Sequence, residues 1–112
     1  MSGVIGLGRA GCSIADQFSK YPQYETFKIC AGARKSKKKN TYTVLEQDSP
    51  ENYEASCPPL KNFFKGVGGD ILFAVDGSEF ISAASLRVLE QLKHCRITIL
   101  YIRPDLQFLS NA

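Results

Sequence analysis

The chain has 112 residues, of which 44% are hydrophobic and 22% charged, and its net charge is +3. That size predicts one domain over residues 1–112, and the mixture is that of a globular protein. No apolar run is long enough to cross a membrane, so no membrane partner is expected, and the start lacks the charged and apolar blocks of a signal peptide, which predicts a cytoplasmic location.

The first predicted strand is short, Val4-Ile5 and on into Gly6. The turn Gly6-Leu7-Gly8-Arg9-Ala10-Gly11 follows and opens a helix to about Lys20. Ile14, Ala15 and Phe18 give that helix an apolar face. Tyr21-Pro22 closes it. A second strand covers Phe27 to Ala31 and ends at Gly32. The basic run Arg34-Lys35-Ser36-Lys37-Lys38-Lys39 reads as a solvated loop or as a contact for phosphates. No aromatic residues interleave with the lysines, so nucleic acid is not an expected partner.

Thr41 to Leu45 has the β-branched and aromatic character of a short strand. Residues 46–59 are polar and proline-punctuated and read as loop. Leu60 to Lys65 reads as a short helix ended by Gly66, Gly68 and Gly69. Ile71-Leu72-Phe73-Ala74-Val75 is a continuous apolar run, the pattern of a central strand covered on both faces. Asp76-Gly77-Ser78 is a turn. A helix is predicted from about Ser82 to Lys93, with Ser82 as N-cap and Leu86, Leu89 and Leu92 on one face. Ile97 to Ile102 forms the last strand, stopped by Pro104.

Strand, helix and strand with short connections make a βαβ unit, whose right-handed crossover sets the two strands parallel. The N-terminal third repeats that plan. The expected fold is α/β, a three-layer Rossmann-like sandwich with a mostly parallel sheet.

Four cysteines, Cys12, Cys30, Cys57 and Cys95, are scattered without a C-x-x-C pair, and His94 is the single histidine. That spacing does not predict a structural metal. Cys30 reads as a core residue of the second strand. Cys12 lies at a helix start, where the dipole is expected to lower its pKa.

Gly6, Gly8 and Gly11 match G-x-G-x-x-G between a strand and a helix. The first glycine permits a tight turn, the second lets a phosphate approach the main chain, and the third lets helix and strand pack closely. The helix N-terminus offers bare amides and partial positive charge to an anion. Such a seat needs amides that are neither crowded nor paired internally. Arg9 adds a charge beside it. The segment Asp76 to Ser82 should lie on the same sheet edge, so that Gly77, Ser78 and Ser82 could contact the same phosphates. Asp76 and Glu79 would repel them unless Mg²⁺ sits between. No acidic residue follows the second strand to hold a ribose, which disfavours NAD. Arg34 and Lys35 suit the extra phosphate of NADP instead, and leave open an NADP-binding oxidoreductase fragment.

Two stretches resemble the nucleotide-binding domain of the tubulin/FtsZ superfamily. Val4-Ile5-Gly6-Leu7-Gly8-Arg9-Ala10-Gly11 is similar to its opening strand and first phosphate loop. Asp70 to Val75 and on to Arg103-Pro104-Asp105, with Leu89-Glu90-Gln91-Leu92-Lys93 between, is similar to its central strand, loop, helix and following strand. The order of segments agrees along nearly the whole chain. The resemblance implies a fold that binds GTP or GDP, in a family that assembles into polymers. From the family's phosphate contacts the resemblance carries over Gly8, Gly11 and Gly77. Together with the glycine-turn and second-loop readings, the expected nucleotide contacts are Gly6, Gly8, Arg9, Ala10, Gly11, Cys12, Gly77, Ser78 and Ser82. That second loop departs from the family's glycine-threonine pattern, with Phe80 and Ile81 where small residues are expected. No catalytic residue carries over, so no hydrolysis by this chain alone is implied. A second reading follows from the same departure: an assembly module, with a homo-oligomer as its product, that kept the fold and lost the ligand.

Overall fold

A computed structural model of the chain describes residues 2–103. Five strands run β1 (Ser2–Leu7), β2 (Tyr24–Ala31), β3 (Thr41–Val44), β4 (Asp70–Asp76) and β5 (Arg96–Ile102). They form one sheet in the order β3-β2-β1-β4-β5. Every pairing is parallel. The expected α/β architecture with a parallel Rossmann-like sheet is therefore present. Pro104 and Asp105, expected to stop the last strand, lie outside the described residues.

The register sorts the side chains by face. Ile5 and Leu7 of β1 stand in line with Phe27 and Ile29 of β2 and with Phe73 and Val75 of β4, and all six are buried. Tyr53, Leu60, Phe64, Val67, Ile81, Val88 and Leu92 close over them. Burying an aliphatic or aromatic side chain of this size contributes roughly 1.5–3 kcal/mol. Most of the apolar core therefore sits on this face.

The opposite face is covered by α1 (Gly8–Phe18), which packs over β1, β2 and β4. Here the contact is made by small residues. A Cβ on Gly11 would lie 2.3 Å from the carbonyl oxygen of Ala74, and one on Gly6 would lie 2.2 Å from that of Gly11. The two glycines thus let the helix rest directly on the sheet, the packing use the sequence assigned to the third of them.

Three expectations change. Residues 46–59 are not all loop, because α2 spans Pro50–Ala55. Ser49 caps it, its hydroxyl accepting from the amide of Asn52 at 3.2 Å, and Pro50 occupies the first turn, where its missing N–H is not needed. Residues 61–66 form turns rather than a helix. Phe63 and Phe64 from this segment meet Phe27 edge-on, with ring centroids 5.6 and 6.0 Å away. The long helix from Ser82 is instead a 3-10 helix, Phe80–Ala84, followed by α3, Ser85–Glu90. The tighter first segment rotates the residues after it, so Leu86 faces water while Val88 and Leu92 are buried.

Candidate functional site

The carboxyl ends of the strands carry both loops that the sequence singled out. In an open parallel sheet, ligands bind at this edge where the strand order reverses. The reversal falls between β1, which passes directly into α1 at Leu7–Gly8, and β4, which is followed by the loop Gly77–Glu79. A groove of about 320 Å³ opens here, lined in part by Gly8, Arg9, Cys30, Tyr53, Glu79 and Phe80. That volume is at the lower end of small-molecule sites. A second cavity of about 280 Å³ lies at the opposite edge, between Gly3, Tyr24 and Asp70, away from both loops.

Gly8 has a φ of +80°, a conformation that a side chain would strain, so the chain turns into α1 at a residue suited to it. Leu7 precedes the helix and has no side-chain cap to give, and the first turn contains no acid. A carboxylate from far along the chain fills this role. The amide of Arg9 donates to Glu79 Oε1 at 2.8 Å, and that of Ala10 donates to Oε2 at 3.2 Å. The requirement for unpaired amides is thus not met in this conformation. Glu79, which the sequence sets against a phosphate unless a cation intervenes, itself occupies these amides. The pair is nevertheless an anion seat, with two donors at a helix N-terminus converging on two acidic oxygens.

Gly8 is also crowded from the side. A Cβ there would lie 2.8 Å from Ile81 Cγ2 and 2.9 Å from Glu79 Oε1. Ile81 is buried, while Glu79 is only half-buried and Arg9 is exposed. Of the predicted contacts, Gly8, Arg9 and Ala10 surround the seat, whereas Gly6 and Gly11 are spent on helix–sheet packing.

The second loop is satisfied internally. The amide of Gly77 donates to the carbonyl of Ile102 at 2.9 Å, and that of Glu79 to the carbonyl of Asp76 at 3.2 Å. Asp76 Oδ1 accepts from both the amide and the hydroxyl of Ser78, at 2.8 and 2.7 Å. These bonds hold the Asp76 carboxyl below its usual range. Ser82 is not the N-cap of a helix; Glu79 precedes the 3-10 helix, and the Ser82 hydroxyl donates to the carbonyl of Gly77 at 3.4 Å. The carboxylates of Asp76 and Glu79 both accept hydrogen bonds, Asp76 from the amide and hydroxyl of Ser78 and Glu79 from the amides of Arg9 and Ala10.

Cys12 corrects another expectation. Its thiol is pushed up rather than down, first by its hydrogen bond with Cys30 and then by burial. It lies inside the α1–sheet contact, within reach of the carbonyls of Gly6 and Ile29 at 3.6 and 3.5 Å. Cys30 is half-buried beside it and reaches the groove. Arg34 and Lys35 are exposed and are not among the groove's lining residues.

Fold and site together define a Rossmann-like α/β protein with a glycine turn at the carboxyl edge of a parallel sheet. Comparison with family models, curated proteins and solved structures finds no match to this chain. Among the described residues, no helix is long and apolar enough to cross a membrane.

Proposed function

We propose that this chain is a nucleotide-phosphate-binding module of tubulin/FtsZ-like type, without hydrolysis of its own, in which Glu79 holds the phosphate seat until GTP or GDP displaces it. The observation that carries this reading is the pair of α1 amides, Arg9 and Ala10, converging on acidic oxygens at the mouth of the groove. A phosphate offers the same amides more charge and more acceptors. Glu79, half-buried and on a loop, returns to water when it leaves. The exchange swaps one charge-assisted pair for another, so the energetic penalty is modest. A tethered competitor still weakens the apparent affinity, because its effective concentration is in the millimolar range.

Calorimetric titration of the chain and of Glu79→Ala with GTP, GDP, ATP and NADPH tests this. The variant should bind GTP or GDP at least about tenfold more tightly than the parent, a change of ~1.4 kcal/mol. Absence of binding by Glu79→Ala at millimolar nucleotide overturns it. A preference for NADPH would select the NADP reading, which Arg34 and Lys35 support only by their position after β2.

A second reading, an assembly module that has lost its ligand, is favoured by Ile81 packed on Gly8 and by the paired amides of the second loop. The edge strand β5 adds to it. Ile99 and Tyr101 on one face, and Leu100 on the other, are all exposed. A second copy of the chain is the partner this reading names. Sedimentation decides: a monomer at high concentration removes it.

A further inference from the structure

We propose that Cys12 and Cys30 form a redox-active dithiol that a hydroperoxide converts to an intrachain disulfide joining α1 to β2. This inference stands apart from the phosphate reading, since neither depends on the other.

The two sulfurs are 3.0 Å apart, across the contact between the helix and the sheet. A disulfide is about 2.05 Å long, so bond formation needs roughly 1 Å of closure, within the reach of side-chain rotation and a small helix shift. Both thiols are free as the chain stands. Their surroundings differ in a way that divides the labour. Cys12 is buried, its sulfur 3.6 and 3.5 Å from the carbonyl oxygens of Gly6 and Ile29. Cys30 is half-buried and reaches the groove, where a small oxidant can approach. Cys30 is also the more acidic partner: the hydrogen bond from Cys12, aided by Lys28 and Lys38, draws its thiol down to about 7. An attacking thiol works best with a pKa near the ambient pH.

The chemistry balances in two steps. The Cys30 thiolate attacks one peroxide oxygen, the O–O bond breaks, and the departing oxygen takes a proton and leaves as water or an alcohol. Cys30 is then a sulfenic acid. The Cys12 sulfur attacks the Cys30 sulfur, the S–O bond breaks, and the hydroxide leaves as water with the proton from Cys12. Two thiols have lost two electrons and two protons, and the hydroperoxide has been reduced by the same two electrons. A dithiol reductant reverses the change by exchange.

The test uses the full, reduced chain and one equivalent of hydrogen peroxide, followed by alkylation and non-reducing trypsin digestion. The expected product is peptide 10–20 joined to peptide 29–34, with Cys57 and Cys95 still alkylated. Cys30→Ser should lose the crosslink. Cys12→Ser should stop at the Cys30 sulfenic acid, captured by dimedone. Because Cys12→Ser disturbs a buried site, the parent chain in urea gives a check that needs no variant: the crosslink should form more slowly there. A Cys30 sulfinic acid beside a free Cys12 in the parent would overturn the proposal. So would pairing with Cys57 or Cys95, or a crosslink that forms as fast in urea as in the native chain.

Discussion

Gly11→Ala probes the contact on which the whole α1 face depends. The added Cβ would lie 2.3 Å from the carbonyl oxygen of Ala74, 3.1 Å from its carbonyl carbon and 3.3 Å from the carbonyl carbon of Gly6. All three atoms are main chain, and two belong to the interior strand β4, so no rotamer change relieves the clash. The helix must retreat from the sheet by roughly 1 Å, and close-packed interiors resist that. Cys12 and Ala15, buried on the same face, would lose part of their contact. Overpacking costs about 1–3 kcal/mol, and a clash against rigid backbone belongs at the upper end, near 3 kcal/mol. For a domain of this size, that lowers Tm by roughly 12 °C or more. Urea and thermal unfolding followed by circular dichroism measure it. Gly68→Ala is the control: nothing lies within 4 Å of its Cβ position. There a gain of ~0.4–1 kcal/mol is expected, from the smaller entropy of the unfolded chain. If Gly11→Ala unfolds within about 0.5 kcal/mol of the parent, like an ordinary surface change, the close-packing argument fails.

Alkylation by iodoacetamide should separate the thiols by pH. Cys30 should gain reactivity as pH rises through about 7, whereas Cys57 and Cys95, both pushed up by burial, should lag behind it; mass spectrometry of each peptide against pH reads this directly. Asp76 is held below its usual range, so its bonds to Ser78 support the fold above that range and fade as the carboxyl is protonated on acidification. Asp76→Asn should therefore flatten the acid side of the stability–pH curve, and an unchanged acid limb would count against the assignment. The Lys28–Asp16 ion pair is 2.8 Å long with the Asp16 side chain 57% exposed, so Asp16→Asn should cost no more than ~1 kcal/mol in urea unfolding.

Periodicity and punctuation carried most of the architecture. The apolar run of β4, the β-branched run of β5 and the strand–turn–helix at Gly6–Gly11 all read correctly, because each is a local pattern. The start of α2 is also legible in the sequence: Ser49 before Pro50 is a helix-entry signal, although proline within a polar stretch equally marks a break. The interruption between the 3-10 helix and α3 left no such mark, and the threefold spacing of Leu86, Leu89 and Leu92 placed Leu86 in a core it does not enter. The occupant of the phosphate seat was out of reach for a different reason. Glu79 meets Arg9 only because β4 inserts beside β1, and nothing in the order of residues states which strands will be neighbours. The Cys12–Cys30 pair was hidden likewise, since it depends on the register of α1 over β2.

Placing β1 between β2 and β4 also has a kinetic consequence. Its pairing with β2 joins segments separated by one helix, but Gly3 pairs with Ile71 and Leu7 with Val75, across most of the chain. Closing so large a loop costs entropy before any of those bonds can form. Chains dominated by such distant pairings fold slowly. Until β4 arrives, one flank of β1 has no mate, and this is the stage at which intermolecular strand capture would compete with correct folding.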